Sequence, residues 1–189
     1  MSPMTTEAIE LLRSMIRITS FSKEEDAVAD LIESFLSKKG LKPQRVKNNI
    51  FVRSASWDDN NPTCLLNSHI DTVKPSQSYT YDPFGAVVEE DKLVGLGSND
   101  AGASVVSLIT TFLQLHQAGL PFNLILLISA EEEISGKNGV ELVLPMLDRL
   151  DFGIVGEPTN KQICRAEKGL MVLDGKALGE SGHAARDVG

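Results

Sequence analysis

The chain has 189 residues, of which 42% are hydrophobic and 23% are charged, and its formal net charge is −8 at pH 7. A chain of this length and composition is typical of a globular protein with one core, and it is short for two domains. The negative charge argues against nucleic acid or an anionic membrane as a partner. It suits a site in which carboxylates surround a cation.

The sequence predicts a location in a reducing cytoplasm. Cys64 and Cys164 lie in apolar, strand-like stretches, so we expect small core residues and no disulfide framework. The first residues include Glu7 and Glu10, where a signal peptide would be apolar. No apolar run reaches the length that spans a membrane.

Two amphipathic helices are predicted at the start of the chain, and a short pair of strands at 43–54 follows them. The first helix, at 5–18, has an apolar side made of Leu11, Leu12, Met15 and Ile16. The second follows Ser22 and Glu25, whose spacing is typical of a capping box, and it ends at Gly40. Its predicted buried stripe consists of Val28, Leu31, Ile32, Phe35 and Leu36.

The rest of the chain alternates strands with helices, which indicates an α/β fold. We expect the central strand within the stretch 123–133, because its uninterrupted apolar run, centred on 124–128, is typical of a strand buried on both faces. Further strands are predicted at 63–69, 151–155, 162–166 and 169–178, a hairpin at 87–94, and helices at 101–118 and 140–147.

Side chains of metal-binding types follow several of these elements. They are His69, Asp71, Asp100, Glu131, Glu132 and Glu157. In α/β sheets, functional groups collect beyond the carboxyl ends of the strands. A histidine with several carboxylates is a ligand set for zinc or a similar divalent ion. The recurrence of these residues at strand ends therefore predicts a metal site.

The spacing indicates a division of roles among these residues. His69 and Asp71 share one face of an extended chain, so Asp71 can orient the imidazole. Asp100 has two carboxylate oxygens and could bridge two metal ions. Of the neighbours Glu131 and Glu132, one could bind metal while the other transfers protons.

Five motifs resemble a known family of zinc amidohydrolases in their order and spacing. They are HIDTV, DPFGAVVEEDKLVGLGSNDAGA, LLISAEEEISG, FGIVGEPT and GESGHAAR. The family contains acetylornithine deacetylase, succinyl-diaminopimelate desuccinylase, aminoacylase and carboxypeptidases, and the resemblance is greatest to acetylornithine deacetylase. It implies a three-layer, zinc-exopeptidase-like catalytic domain at 1–167 with a mixed, largely parallel central sheet. The start of an α+β lid or dimerisation domain would follow at 168–189.

The resemblance also implies two zinc ions, which cobalt or manganese could replace. His69, Asp100 and Glu157 would hold the first ion, and Asp100 with Glu132 would hold the second. A cis peptide bond would follow Asp100.

Three further residues have roles by the same resemblance. Glu131 would act as general base in the hydrolysis of an amide bond, and Asp71 would support the histidine ligand. His183 would reach the site of the partner subunit in a homodimer and stabilise the oxyanion.

The resemblance predicts hydrolysis of an N-acyl amino acid, such as N-acetylornithine or a related N-acylornithine or citrulline, in arginine biosynthesis. A desuccinylase, a di- or tripeptidase or a carboxypeptidase of the same family is the alternative. Family members continue beyond the position of Gly189 to a last histidine ligand for the second zinc. We therefore expect this chain to be part of a longer enzyme and to be inactive alone.

Two alternatives come from other functional classes. A dinucleotide site could be read from Gly95-x-Gly97, but no third glycine completes the fingerprint and a hairpin precedes it. A non-catalytic binding fragment is the other alternative, and it would keep the fold without the hydrolysis.

Overall fold

A five-stranded sheet lies at the centre of the structure, a computed structural model that describes residues 1–147, 149–166, 168–169, 171, 173 and 175–176. The strands of the chain are β1 (Gln44–Val46), β2 (Asn49–Arg53), β3 (Thr63–His69), β4 (Val87–Glu89), β5 (Lys92–Val94), β6 (Asn123–Ser129) and β7 (Phe152–Val155). The sheet has the order β1-β2-β6-β3-β7, while β4 and β5 form a separate antiparallel pair.

The sheet is mixed. β3 runs parallel to both β6 and β7, whereas β2 runs antiparallel to β6 and to β1. Every residue of β6 is buried, as expected for an uninterrupted apolar strand. The predicted α/β class with a mixed, largely parallel sheet is confirmed.

Helices cover both faces of this sheet. They are α1 (Pro3–Ile16), α2 (Asp26–Lys38), α3 (Ala103–Leu115) and α4 (Val140–Val143). Leu124, Leu126 and Ile128 share a core with buried residues of α1, α2 and α3. Ile125 and Leu127 point to the opposite face and pack in a second core with Val143 of α4. The alternation along β6 thus gives the three-layer arrangement.

The first helix starts earlier than predicted. Ser2 caps α1, because its Oγ accepts the backbone N–H of Thr5 at 3.1 Å. The predicted apolar side is buried throughout: Leu11, Leu12, Met15 and Ile16.

The predicted capping box before α2 is wrong. Glu25 precedes the first helical residue, but no side chain caps this helix. The Ser22 hydroxyl instead donates to Asp71, which lies 49 residues further along the chain. The buried stripe is largely as predicted, with Val28, Ile32 and Leu36 buried and Leu31 and Phe35 partly buried against the same core.

Two predicted helices are shorter than expected. An irregular π-type turn at Ser98–Gly102 precedes α3, so this helix begins at Ala103. α4 has four residues and passes into a 3-10 turn at Leu144–Met146, in which Pro145 has no N–H to continue the α-helical pattern. The predicted strands at 63–69 and 151–155, the hairpin at 87–94 and the strand pair at 43–54 are present.

The chain divides into two compact units, Met1–Pro158 and Thr159–Gly189. The predicted strand at 162–166 is absent. No residue described in this segment pairs with another strand, and a strand needs such a partner for its backbone groups. Cys164 is exposed, against expectation, whereas Cys64 is buried as predicted.

The strand predicted at 169–178 lies partly outside the described residues, and those that are described there form no strand. The predicted domain boundary between 167 and 168 stays a prediction. Within the part of the chain that the structure describes, no helix is long and apolar enough to cross a membrane.

Candidate metal centre

The register of the parallel strands brings the predicted site residues to one edge of the sheet. His69, the last residue of β3, pairs with Ser129, the last residue of β6. Val155 of β7 pairs with Asn67, so Glu157 follows at the same edge. The carboxyl ends of three parallel strands therefore meet where the sequence predicts a metal.

The turn before α3 brings Asp100 to this edge. Gly97 has a left-handed φ of 69°, which glycine adopts without steric cost. A Cβ on Gly102 would lie 2.6 Å from the carbonyl oxygen of Gly97 and 2.7 Å from Leu12 Cδ1, so the turn closes only around glycine. The peptide bond from Asp100 to Ala101 is cis, as the resemblance implies.

The His69 imidazole is 1% exposed, and both of its ring nitrogens face carboxyl groups. Nδ1 lies 3.0 Å from the carbonyl oxygen of Asp71 and 3.3 Å from Asp71 Oδ1. Nε2 lies 3.2 Å from Asp100 Oδ1. It also lies 3.7 Å from both Glu132 Oε2 and Glu157 Oε2. Asp71 thus fixes Nδ1, while Nε2 faces the carboxyl groups of Asp100, Glu132 and Glu157.

This surrounding changes how His69 titrates. Burial by itself would lower its pKa, but hydrogen bonds with Asp71 and Glu157 and their negative charges raise the pKa to about 11. Without a metal ion the imidazole is therefore a cation at neutral pH. A metal ion would replace the ring proton, since only a neutral imidazole can act as a ligand.

The pKa values of two neighbouring glutamates are raised as well, which favours their neutral form. Burial raises the pKa of Glu132, and the charges of Glu157, Asp71 and Asp100 raise it further against the opposing effect of His69. Burial and the charge of Asp100 raise the pKa of Glu133 in the same way. Crowded carboxylates repel one another, and a cation among them would relieve that repulsion.

Three of the predicted ligands form a group that could hold a metal ion. One ligand atom each from His69, Asp100 and Glu157 lies within 4.8 Å of the other two. Imidazole with carboxylate oxygens suits zinc, cobalt or manganese. His69 is buried, while Asp100 is exposed, so the group is anchored in the sheet and open to solvent on one side. The residues present fit the metal that the sequence predicts.

Asp71 lies behind the histidine, as predicted, and makes more contacts than the sequence indicates. Its side chain is fully buried. Oδ1 accepts the backbone N–H of Glu132 at 3.0 Å, and Oδ2 accepts that of Glu133 at 3.1 Å. Ser22 Oγ donates to Oδ2 at 2.7 Å. Burial would raise the pKa of Asp71, but the hydrogen bonds from His69, Ser22 and the two amides lower it.

Glu131 is not brought into the group around His69. Glu131 is 5% exposed, and its φ of 54° lies in the left-handed region. Asn138 Nδ2 donates to Glu131 Oε1 at 2.8 Å, and the Asn138 backbone N–H donates to Oε2 at 3.3 Å. Both carboxylate oxygens therefore accept hydrogen bonds from Asn138. The assignment of Glu131 as general base stays a prediction.

Three residues of this region are not predicted from the sequence as part of the site. Glu133 is one of three adjacent acids after a strand, and that run of acids is the signal available for it. The spacing of Ser22 and Glu25 predicts a helix cap, and no local pattern identifies their distant partners. His183, the predicted oxyanion residue, lies outside the described residues.

Comparison with known sequences identifies the family. The model of peptidase family M20/M25/M40 matches residues 65–169, more than half of the chain. A peptidase M20 domain-containing protein of Schizosaccharomyces pombe is 34% identical over 191 residues, covering 96% of this chain and 46% of that protein. Acetylornithine deacetylase of Proteus mirabilis is 30% identical, covering 94% and 49%. Succinyl-diaminopimelate desuccinylase of Wolinella succinogenes is 29% identical, covering 96% and 52%.

Solved structures show the same fold. Human carnosine dipeptidase 1 is 21% identical and superposes with a TM-score of 0.62 over 79% of this chain and 38% of that one. A dinuclear metal-binding peptidase of Bacillus subtilis is 20% identical, with a TM-score of 0.62 over 80% and 42%. The chain spans about half the length of the curated relatives it matches. It belongs to peptidase family M20/M25/M40.

Proposed function

We propose that the protein carrying this chain hydrolyses the amide bond of an N-acyl amino acid at a metal centre that includes His69, Asp100 and Glu157. The observation that carries this proposal is the convergence of these three ligand atoms within 4.8 Å at the carboxyl edge of the sheet. Membership of a peptidase family supports the reaction class. The names of the curated relatives support the kind of substrate.

The chain supplies the ligands and the groups that handle protons. A bound zinc or similar ion would polarise the scissile carbonyl group and lower the pKa of a water molecule to about 7. A carboxylate beside that position could take the proton and return it to the leaving amine. Glu132 is placed for this, because its Oε2 lies 3.7 Å from His69 Nε2.

The sequence assigns proton transfer to Glu131 and metal binding to Glu132, and the contacts favour a different division. Both Glu131 oxygens accept hydrogen bonds from Asn138. Glu132 is therefore the stronger candidate for the general base. Glu133, whose carboxyl group is close enough to Asp100 to be affected by its charge, is then a candidate second-metal ligand.

Space for a substrate lies next to these acids. A cavity of about 260 Å³ is bordered by Glu132, Ser135, Gly136 and Asn67, and Glu131 also borders it. The acyl group or side chain of an amino-acid derivative fits a cavity of this size. Asn138 engages the Glu131 carboxylate, whereas the Glu132 carboxylate, which also borders the cavity, lies close to His69.

The substrate that we propose is N-acetylornithine or a related N-acyl amino acid, which would place the enzyme in arginine biosynthesis. The similarity to acetylornithine deacetylase supports this choice. Succinyl-diaminopimelate is the second candidate, because desuccinylases recur among the relatives. A dipeptide is the third, since a dipeptidase shares the fold.

A substrate panel tests the proposal. The protein carrying this chain is freed of metal, reloaded with zinc, cobalt or manganese, and assayed with N-acetylornithine, N-succinyl-diaminopimelate and a dipeptide. We expect metal-dependent hydrolysis with a preference for N-acetylornithine, and its loss in His69→Ala. Hydrolysis of none of the three, by protein with bound metal, would overturn the proposal and favour a non-catalytic binding role.

Assembly as a homodimer, with His183 acting across the interface, belongs to the same proposal and rests on the resemblance alone. Light scattering of the protein that carries this chain gives the oligomeric state. If it is a dimer, a His183→Ala subunit mixed with a His69→Ala subunit should recover activity. No recovery in a demonstrated mixed dimer would contradict the shared site.

A further inference from the structure

Three consecutive backbone amides after β6 each donate to a buried carboxylate. Glu131 N donates to Glu25 Oε1 at 3.2 Å, while Glu132 N and Glu133 N donate to the two oxygens of Asp71. Glu25 is 0% exposed and Asp71 is 1% exposed. We refer to residues 131–133 as the acidic turn. Two buried carboxyl side chains therefore bind the backbone of the acidic turn.

The segment before α2 supplies one of these two side chains and contacts the other. Glu25 also accepts the Lys23 backbone N–H at 2.8 Å and Asn48 Nδ2 at 2.9 Å, so both of its oxygens have partners. Ser22 Oγ donates to Asp71 Oδ2 at 2.7 Å. Neither side chain caps α2. Ser22 and Glu25, whose spacing is typical of a capping box, therefore bind Asp71 and Glu131 at the carboxyl edge of the sheet.

We propose that Ser22 and Glu25 are positioning residues of the metal centre. Ser22 fixes the Asp71 carboxylate between His69 and the acidic turn. Glu25 fixes the backbone from which the side chains of Glu132 and Glu133 project. The inference rests on the proposed metal centre, and it assigns to both residues a role that acts through their neighbours and involves no contact with substrate.

The backbone of the acidic turn needs such support. Glu131 and Ser135 have φ values of 54° and 49°, in the left-handed region that a residue with a Cβ adopts only with strain. Hydrogen bonds from a backbone N–H to a carboxylate are stronger than those between neutral groups. The bonds to Glu25 and Asp71 therefore oppose this strain. Without them, we expect the turn to relax and the acids to lose their positions.

Affinity for metal measures positioning separately from stability. Residues that orient metal ligands through hydrogen bonds typically change metal affinity about 10- to 100-fold when replaced. We expect Ser22→Ala and Glu25→Ala to weaken zinc binding by that factor in this chain, measured by competition with a chromophoric chelator. Thermal unfolding of the metal-free variants is recorded alongside.

Conservative variants and matched controls make the test specific. Ser22→Thr keeps the hydroxyl and Glu25→Gln keeps one oxygen for the Glu131 N–H, so both should bind zinc more tightly than the alanine variants. Ser54 accepts the Leu124 N–H at 3.2 Å, and Asp151 accepts the Thr63 N–H at 3.0 Å, at the far ends of β6 and β3. Ser54→Ala and Asp151→Ala should lose stability but keep zinc affinity within about threefold.

Each outcome decides between the two proposals. If the unmodified chain binds no zinc, the proposed metal centre fails, and the positioning role fails with it. If the unmodified chain binds zinc and the Ser22 and Glu25 variants match their controls, only the positioning role is wrong. If Glu25→Ala does not fold, Glu25→Gln and both Ser22 variants carry the test.

Discussion

The Asp71 carboxylate accepts the backbone N–H of Glu132 at 3.0 Å, although 61 residues separate the two along the chain. The same Oδ1 lies 3.3 Å from Nδ1 of His69. One buried side chain thus joins the end of β3, which carries the histidine, to the turn after β6, which carries the acids. The geometry of the candidate metal centre depends on this connection.

Asp71 should make the metal-free fold sensitive to acid. Its folded pKa is lowered by its hydrogen bonds despite burial, so its contribution to stability is present above the unfolded pKa and is lost as pH falls through the folded pKa. We expect Asp71→Asn to reduce the free energy of unfolding by about 2 kcal/mol at pH 7, with a smaller difference at pH 3. Urea unfolding at both pH values measures this, and an equal difference at each pH would contradict it.

His69 should be protonated in the metal-free chain at pH 7.5. Its folded pKa of about 11 lies above the ordinary value of 6.5, so its contribution to stability is complete below pH 6.5 and is lost as pH rises towards 11. Nitrogen-15 NMR of the ring should show both nitrogens protonated without metal and one proton lost after zinc is added. A neutral ring in the metal-free chain would contradict the proposed charge environment.

The two neighbouring glutamates should differ sharply in their effect on hydrolysis. In the protein that carries this chain, we expect Glu132→Gln to lower kcat by about 10² to 10⁴-fold, because general acid–base catalysis contributes that much. Glu131→Gln should keep activity within about tenfold and lower stability, because Asn138 binds its carboxylate.

Metal content is measured in both glutamine variants, so that a lost ligand is distinguished from a lost base. A large loss in Glu131→Gln with little change in Glu132→Gln would support the assignment made from the sequence and refute the one made from the contacts.

Gly102 should be required for the turn that carries Asp100. Its φ of −56° suits any residue, but a Cβ would lie 2.6 Å from the carbonyl oxygen of Gly97. We expect Gly102→Ala to cost about 1–3 kcal/mol of stability, as overpacking does, and to weaken zinc binding. Gly153→Ala is the control, since its Cβ would meet nothing closer than 3.6 Å. Equal effects of the two changes on zinc affinity would contradict the role of the turn.

The strands and helices could be read from the sequence because their signals are local. The apolar run of β6 and the turn signals around it give both the strand and its burial. The prediction of a strand at 162–166 is wrong. Its apolar sequence is also a local signal, but a strand forms only where another strand can pair with it. Cys164 also has apolar neighbours in the sequence, but it is exposed, because burial depends on contacts with distant segments.

The candidate site was only partly predictable for a related reason. Strand order and register bring His69, Asp100 and Glu157 together, and residue type marked all three. The left-handed backbone at Glu131 determines which of the three glutamates faces His69. Because the three side chains are identical, the sequence does not indicate which one it is. The partners of Ser22 and Glu25 likewise come from segments 49 and 106 residues away.

Zinc content tests the central claim most directly. The chain, Glu157→Gln, His69→Ala and the control Glu89→Gln are loaded with zinc, dialysed and subjected to elemental analysis; Glu89 lies on β4, outside the group of ligands. We predict at least one zinc ion per molecule in the unmodified chain and the control, and a strong loss in the other two variants. Equal zinc content in all four, or no zinc in the unmodified chain, would contradict the metal centre.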